Sequence, residues 1–389
     1  METVSEFSAW TGRGRLDQLV GELERQKEAR IDFVTDTRSV TVSAKDGSLY
    51  LVPAEPRAME WLPQQGLLIK DTALEQVGAK AIPPVPWRFL KELARERPVR
   101  AMELLNGLMQ DSPGRRFIRC LDGHVRAVLS DRYRVLDHYD IAFAALDVVR
   151  AAGGEVIEAS LSDTRMKLKF TTRTVWDAID ESRKGDPGSW YSGGLGNQEH
   201  LRRVSARVGD ELPGGPGTVH PLVTVSNSET GHGGFGVRIG LLRAICFNLA
   251  TVEDVVAKVH LGDRLAVGIF TEETVSEESK LIYLKARDAI RAAFHPETFA
   301  RMVAIARQAQ EDGVTSPHSA VQNVAKAVGL AEERRTALLG YFLREYDATR
   351  YGMAQAVARL AQDESDPDQA GALEDLAGAI LRSRDLTLV

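Results

Sequence analysis

Two cysteines in 389 residues, Cys120 and Cys246, are too few for a disulfide scaffold, and both stand in apolar, strand-like company. Two buried thiols are expected rather than a bridge. No apolar run reaches the roughly eighteen residues of a membrane span, so no membrane association is expected. The first residues, METVSEFSAW, lack the basic start and apolar stretch of an export signal, which makes the cytoplasm the expected location. The eight histidines are scattered, with no H-E-x-x-H and no cysteine pair, so no metal site is expected. There is no Walker A sequence, no completed Rossmann glycine triplet and no G-x-S-x-G nucleophile elbow. No nucleophile has an evident base partner, and neither a cofactor nor a specific enzyme can be argued. A net charge of −6 disfavours indiscriminate nucleic-acid binding. Positive charge nevertheless gathers in the middle of the chain, while the C-terminal third is acidic.

What is present divides into a mixed front and a helical back. Leu16 to Ala29 reads as an amphipathic helix, followed by strands near 31–33, 40–43 and 49–52, with Lys45-Asp46-Gly47 as a turn. Thr72 to Met109 is helical, interrupted by Pro83-Pro84-Val85-Pro86. Strands at Phe117–Cys120 and Val125–Leu129 meet at an Asp122-Gly123 turn, and a helix over 142–152 stops at Gly153-Gly154. Glu155 to Phe170 resumes strand character, and 184–217 is a Gly-rich irregular stretch. A hairpin over 219–249 follows, and from about Glu272 everything reads helical. The expected fold is α+β. It comprises an N-terminal strand and helix region (1–112), a central antiparallel β-rich core with a basic face (113–265) and an all-helical C-terminal region (266–389).

Three segments could carry chemistry. In Arg165-Met-Lys167-Leu-Lys169-Phe-Thr171-Thr-Arg173 a period of two sets Arg165, Lys167, Lys169, Thr171 and Arg173 on one strand face, with Met166, Leu168 and Phe170 opposite. Such a row could track a phosphate backbone, or serve as the solvated outer face of a sheet. A second group is Arg115, Arg116, Arg119, Arg132 and Arg134 around Tyr133, where guanidinium forks could hold phosphates and the ring could stack on a base. Its structural alternative is an Asp131–Arg132 pair with Tyr133 in the core. The third is the loop Gly231, His232, Gly233, Gly234, either a flexible hairpin turn or an anion-binding nest of backbone amides. Val321 to Leu330 has helix-turn-helix spacing, but Glu332-Glu333 opens the next helix and would repel phosphate, so ordinary helix packing is preferred.

Several segments together are similar to a known family. Asn227-Ser228-Glu229 with Gly231, then Cys246 and Asn248, resembles the "NSE-G" and Cys-x-Asn features of the domain-of-unknown-function 932 family of phage- and plasmid-borne proteins. Arg119 to Gly123 and Ser130 to Asp137 resemble its R-x-L-D-G and S-D-R-Y-R-x-L-D block, Leu74 to Pro98 its early helical segment, and Tyr351 to Asp363 with Leu373-Glu374 its terminal helices. Phe247-Asn248-Leu249 departs from the frequent Thr-Asn-Gly, and Gln355 stands where Asn is frequent. The resemblance implies a mobile-element protein engaged in DNA transactions, compatible with single-strand annealing by an oligomeric ring. The leading expectation is thus a cofactor-free homo-oligomer that binds single-stranded DNA. An enzyme using the Gly-rich 188–236 region as a phosphate or substrate loop, or a structural protein docking a host partner, are the alternatives.

Overall fold

The computed structural model describes residues 12–14, 16–53, 63, 65–81, 83–133, 135–179, 213, 218–243, 249–257 and 272–383. The irregular stretch 184–217, apart from Pro213, lies outside these residues, as do Arg134, Cys246, Phe247 and Asn248. The fold is α+β, with strands in the N-terminal and central parts and an all-helical C-terminal region.

Strands and helices alternate through the first part: β1 (Gly12–Gly14), α1 (Leu16–Ala29), β2 (Arg30–Asp36), β3 (Val40–Lys45), β4 (Ser48–Pro53), β5 (Leu67–Ile69), α2 (Asp71–Lys80), α3 (Trp87–Glu96) and α4 (Pro98–Asp111). Then come β6 (Arg115–Leu121), β7 (His124–Ser130), α5 (His138–Ala151), β8 (Gly154–Leu161), β9 (Met166–Thr172), β10 (Asp177–Ala178), β11 (Thr218–Asn227), β12 (Gly236–Arg243) and β13 (Leu249–Ala257). Six helices finish the described chain: α6 (Glu272–Ala293), α7 (Pro296–Glu311), α8 (Pro317–Val328), α9 (Glu332–Glu345), α10 (Arg350–Asp363) and α11 (Pro367–Arg382).

The strands make two sheets. One runs β2-β6-β7-β5-β4-β3, antiparallel except for β5 against β7. The other runs β1-β8-β9-β11-β12-β13, with β10 joined to β11. A boundary at residue 112 therefore passes through the first sheet, where β2 of the N-terminal region pairs with β6 of the central one along its whole length. Antiparallel neighbours need only short connections, and the Asp46-Gly47 and Asp122-Gly123 turns supply them with both residues at positive φ. Where the sequence pattern continues from 155 to 170, the chain folds back at Ser162–Arg165, so the segment is a hairpin rather than one strand.

Each sheet has its own apolar core. Ile118, Cys120, Val125 and Val128 pack with Leu74 of α2, Leu90 of α3 and Leu105 of α4. Burial holds the Cys120 thiol well above its ordinary pKa, so it is an inert core group. Met166, Leu168, Phe170, Val223, Val225 and Val237 join α1, α5 and the C-terminal helices in the larger core. Ala320, Val321 and Val324 of α8 are buried in that core, and Gly329 adopts the left-handed conformation that closes the helix, so this segment packs as an ordinary helix pair.

Backbone geometry is most demanding just before β5. Gly66 has φ +88°, and a Cβ there would sit 2.7 Å from the Leu51 carbonyl oxygen and 2.9 Å from Val52 Cγ2. Gly47 has a similar φ of +78° but open space around it. Gly66→Ala is expected to lower stability by about 2–3 kcal/mol, against about 1 kcal/mol for Gly47→Ala. Urea unfolding of the two variants checks the difference, and equal losses would show that the close approach at Gly66 is not maintained.

Candidate functional site

The basic row on β9 is not an outer face. Lys167 is 6% exposed, Lys169 1% and Thr171 fully buried, because α11 lies across this side of the sheet. Lys169 Nζ donates to Glu374 Oε1 of α11 at 2.6 Å and to Glu158 Oε1 of β8 at 3.0 Å. Lys167 Nζ donates to the Pro367 carbonyl at 3.1 Å, and Arg238 of β12 grips both carboxylate oxygens of Asp375. Arg173 pairs with Glu155, and Arg165 donates to the His232 carbonyl at 2.6 Å. The expected phosphate-tracking face is an internal ionic layer. The alternation of the strand was legible, but its partner comes from some 200 residues downstream, where no local pattern reveals it.

Two other segments converge instead. Sheet β2-β6-β7 presents Asp32 and Arg119 opposite one another, and the loop after β11 reaches over to them. Arg119, 1% exposed, donates to Asp137 Oδ1 at 2.8 Å, lies 3.0 Å from Asp32 Oδ2, and contacts the Glu229 carbonyl at 3.4 Å. Arg30 pairs with the other oxygen of Asp137. The Glu229 carboxylate accepts from Arg126 Nη1 at 3.1 Å and from the His138 backbone N–H at 2.6 Å, so it caps the positive end of α5. Asn227 donates to the Leu136 carbonyl at 2.8 Å and lies 3.0 Å from His138 Nδ1, while the Tyr133 hydroxyl donates to the Ser228 carbonyl at 2.8 Å.

Burial alone would raise the Glu229 carboxyl, but the charge around it (His138, Arg126, Arg119) and the His138 N–H outweigh this and bring it down to about 2. Burial, aided by the two arginines against the pull of Glu229, pushes the His138 imidazole down to about 4. Burial lifts the Tyr133 phenol well above its usual range. The cluster is thus an anionic Glu229 and a neutral His138 among arginines. Both Glu229 oxygens are engaged by protein donors, and Arg119 serves three acceptors. Such a closed set fixes geometry and leaves little for a ligand to bind.

Asp32, Asn227 and His138 carry no local signal that marks them as site residues, whereas Arg126 belongs to the second arginine group and Glu229 to the segment before the Gly-rich loop. Glu229 and Asn227 fall in the segment quoted for the family resemblance, as do Arg119, Tyr133 and Asp137, and the fold draws both segments into one cluster. The loop Gly231–Gly234 is held against that cluster. Gly231 has φ +77° and lies against Leu129, Gly233 lies against the Arg165 guanidinium, and His232 is 3.8 Å from Glu75.

The second arginine group is divided. With a period of two, Arg116 turns to the helix side of the sheet while Arg115, Phe117 and Arg119 share the other face. Arg119 is interior, Arg134 lies outside the described residues, and Arg115 and Arg132 are exposed at the open end of the β6–β7 hairpin. Between them Phe117 and Tyr133 stack, with centroids 6.4 Å apart and planes 19° from parallel, both half-buried. Val34 and Val135 are exposed. Among the described residues neither Arg115 nor Arg132 has a carboxylate partner, and no cluster of three His, Cys, Asp or Glu side chains is placed to hold a metal ion. Likewise no described helix is long and apolar enough to cross a membrane. No family model, curated protein or solved structure matches the chain.

Two outcomes follow from these clusters. Lys169→Met would leave Glu158 and Glu374 buried without their cation and is expected to cost about 3–5 kcal/mol; Lys169→Glu, which adds a third carboxylate, should cost more, and chemical denaturation of both variants checks the order. On acidification, unfolded chains protonate histidine near pH 6.5 while His138 stays neutral to about 4. The unfolded state then binds more protons, so stability falls between pH 6.5 and 4. A second loss follows between 4.5 and about 2, as the Glu229 carboxylate is titrated. Urea midpoints measured across pH 8 to 4 should flatten in the upper window for His138→Asn; an unchanged slope would show that His138 titrates normally.

Proposed function

We propose that the protein binds single-stranded DNA at the open end of the β6–β7 hairpin. The observation that carries this reading is the Phe117–Tyr133 stack flanked by Arg115 and Arg132, two exposed guanidiniums without carboxylate partners among the described residues. Guanidinium groups fork onto phosphate oxygens, and aromatic groups beside them favour unpaired bases over a closed duplex. The buried cluster beneath supports this by fixing the platform: the Tyr133 hydroxyl is tied to the Ser228 carbonyl, and Arg119 lies 5.9 Å from the Phe117 ring.

The row at Arg165, Lys167, Lys169 and Arg173 has no part in this reading, since its charges are spent within the protein. One platform spans only two or three nucleotides, so useful affinity requires several copies acting along one strand. The proposal therefore includes a homo-oligomer. The resemblance to the phage and plasmid family points the same way, through the DNA transactions of mobile elements.

Binding of a labelled single-stranded oligonucleotide, with duplex as control, tests the reading at two salt concentrations. Selective binding that weakens with salt is expected, and Arg115→Gln with Arg132→Gln should lower the salt slope by about two per copy engaged. No binding at low salt, where electrostatic attraction is strongest, would end it.

A further inference from the structure

The two edges of the first sheet are finished differently. At β3 the edge is closed. The Asn106 side chain of α4 accepts from the Val42 N–H at 2.7 Å and donates to the Val42 carbonyl at 2.9 Å, taking the place of a neighbouring strand. At the other edge β2 pairs with β6 alone, and no described strand lies beyond it. β2 has seven residues, no proline and no bulge against β6, so its backbone carries none of the usual devices that blunt an edge. Ile31 and Val34 are 41% and 44% exposed along it.

Just past β2 the Thr37 N–H donates to the Gly114 carbonyl at 3.1 Å. Alternation back along the strand therefore turns the N–H and C=O groups of Asp32 and Val34 away from β6, towards the open side. Among the described residues nothing bonds them there. Another strand can continue such a row, and the charges of β2 say which. Laid antiparallel on itself about Phe33, β2 sets Arg30 opposite Asp36 of a second copy at both ends, Ile31 opposite Thr35, and Asp32 opposite Val34. Moving the axis to Asp32 brings two aspartates face to face, and moving it to Val34 sets Asp32 opposite Asp36. Of the three registers, the one about Phe33 alone matches opposite charges and uses the whole strand. Its ends have capacity to spare. Arg30 holds Asp137 but remains 33% exposed, and Asp36 has engaged one oxygen, with the Arg38 N–H at 2.9 Å.

We propose that the free edge of β2 is a homodimer interface, in which two copies pair their β2 strands antiparallel about Phe33 and join their first sheets into one. The Asp32–Val34 pairs on either side of the axis each exchange two main-chain hydrogen bonds. The two Phe33 side chains meet on the axis, and the two Val34 side chains become diagonal neighbours on the other face. Residues directly opposite one another share a face, so the Phe117–Tyr133 platforms of both copies look to the same side of the joined sheet. The interface thereby supplies the second copy that the DNA reading requires, and it rests on that reading for its purpose but not for its geometry.

Analytical ultracentrifugation of the full chain without DNA tests the interface. A concentration-dependent dimer is expected, with a Kd on the order of 10 μM, because two paired edges bury less than a standard interface. Val34→Pro removes an outward N–H and leaves the β6 ladder intact, so it should give a monomer with an unchanged Tm. Where that variant does not fold, cysteine reads the register instead. Phe33→Cys places thiols on the axis, where the Cα atoms of a facing, non-hydrogen-bonded pair are about 4.5 Å apart and within disulfide reach. Mild oxidation should then give a covalent dimer joined at residue 33. Thr35→Cys lies about 13 Å from its counterpart and should stay uncrosslinked. A monomer at every concentration up to about 100 μM, a dimer untouched by a folded Val34→Pro, or crosslinking through Thr35→Cys rather than Phe33→Cys would each overturn the proposal. Arg132→Gln should weaken DNA binding yet sediment as the unaltered chain does. A dimer that binds no DNA would end the platform and leave the interface standing, so either reading can fail alone.

Discussion

The contact between Glu229 and the arginines of the first sheet is the interaction on which the rest of the structure depends. Glu229 belongs to the loop leaving β11 in one sheet, whereas Arg119 and Arg126 belong to β6 and β7 in the other. Its second oxygen holds the first turn of α5, the helix that packs across β8, β9 and β11. One carboxylate thus joins both sheets and the start of a helix. Buried ion pairs seldom add much net stability, because desolvation offsets attraction, but a buried charge tolerates very few arrangements. The cluster acts through that intolerance: once Glu229 is inside, β2, β6, β7 and the 228–232 loop have one register that leaves no charge unmatched.

The same logic explains α11. A sheet with Lys167, Lys169 and Arg238 on one side cannot be covered by an apolar helix. α11 brings Glu374 and Asp375 to them, while Leu373, Ala377 and Ile380 join the core. The acidity of the C-terminal third is therefore partly internal complement rather than a surface offered to a partner. Asp368 extends this by accepting from Ser162 and Thr164 in the β8–β9 turn, which ties the helix start to the end of the hairpin.

With these internal charges matched, several cations in and around the first sheet have no carboxylate partner among the described residues. Arg115 and Arg132 are at the surface beside a stacked aromatic pair, and Lys80 and Arg116 line a small space on the reverse side. The platform and that space share one strand, β6, whose alternating side chains send neighbouring arginines to opposite faces. The proposed DNA platform rests on Arg115 and Arg132 beside the aromatic pair, since a cluster whose valences are already filled has nothing to give a ligand.

By itself the sequence determined the α+β class, the positions of most described elements (β1, β5, β10 and β13 excepted) and the glycine turns, because these follow from local periodicity and from the few residues that tolerate positive φ. Leu16–Ala29 is a helix with the bounds its apolar spacing gives, and from Glu272 on the described chain is helical as its pattern reads. It also marked, through Asn227–Glu229 and Arg119–Asp137, the segments that build the buried cluster. Only the tertiary structure decided which charges face inward. Lys169 and Arg115 are both cations on strands, and neither one's local sequence shows whether it will be buried. What separates them is that Glu374, more than 200 residues away, covers one, while no described carboxylate reaches the other. Burial of a charge is settled by its partner, and partners distant in sequence leave no trace in the local pattern.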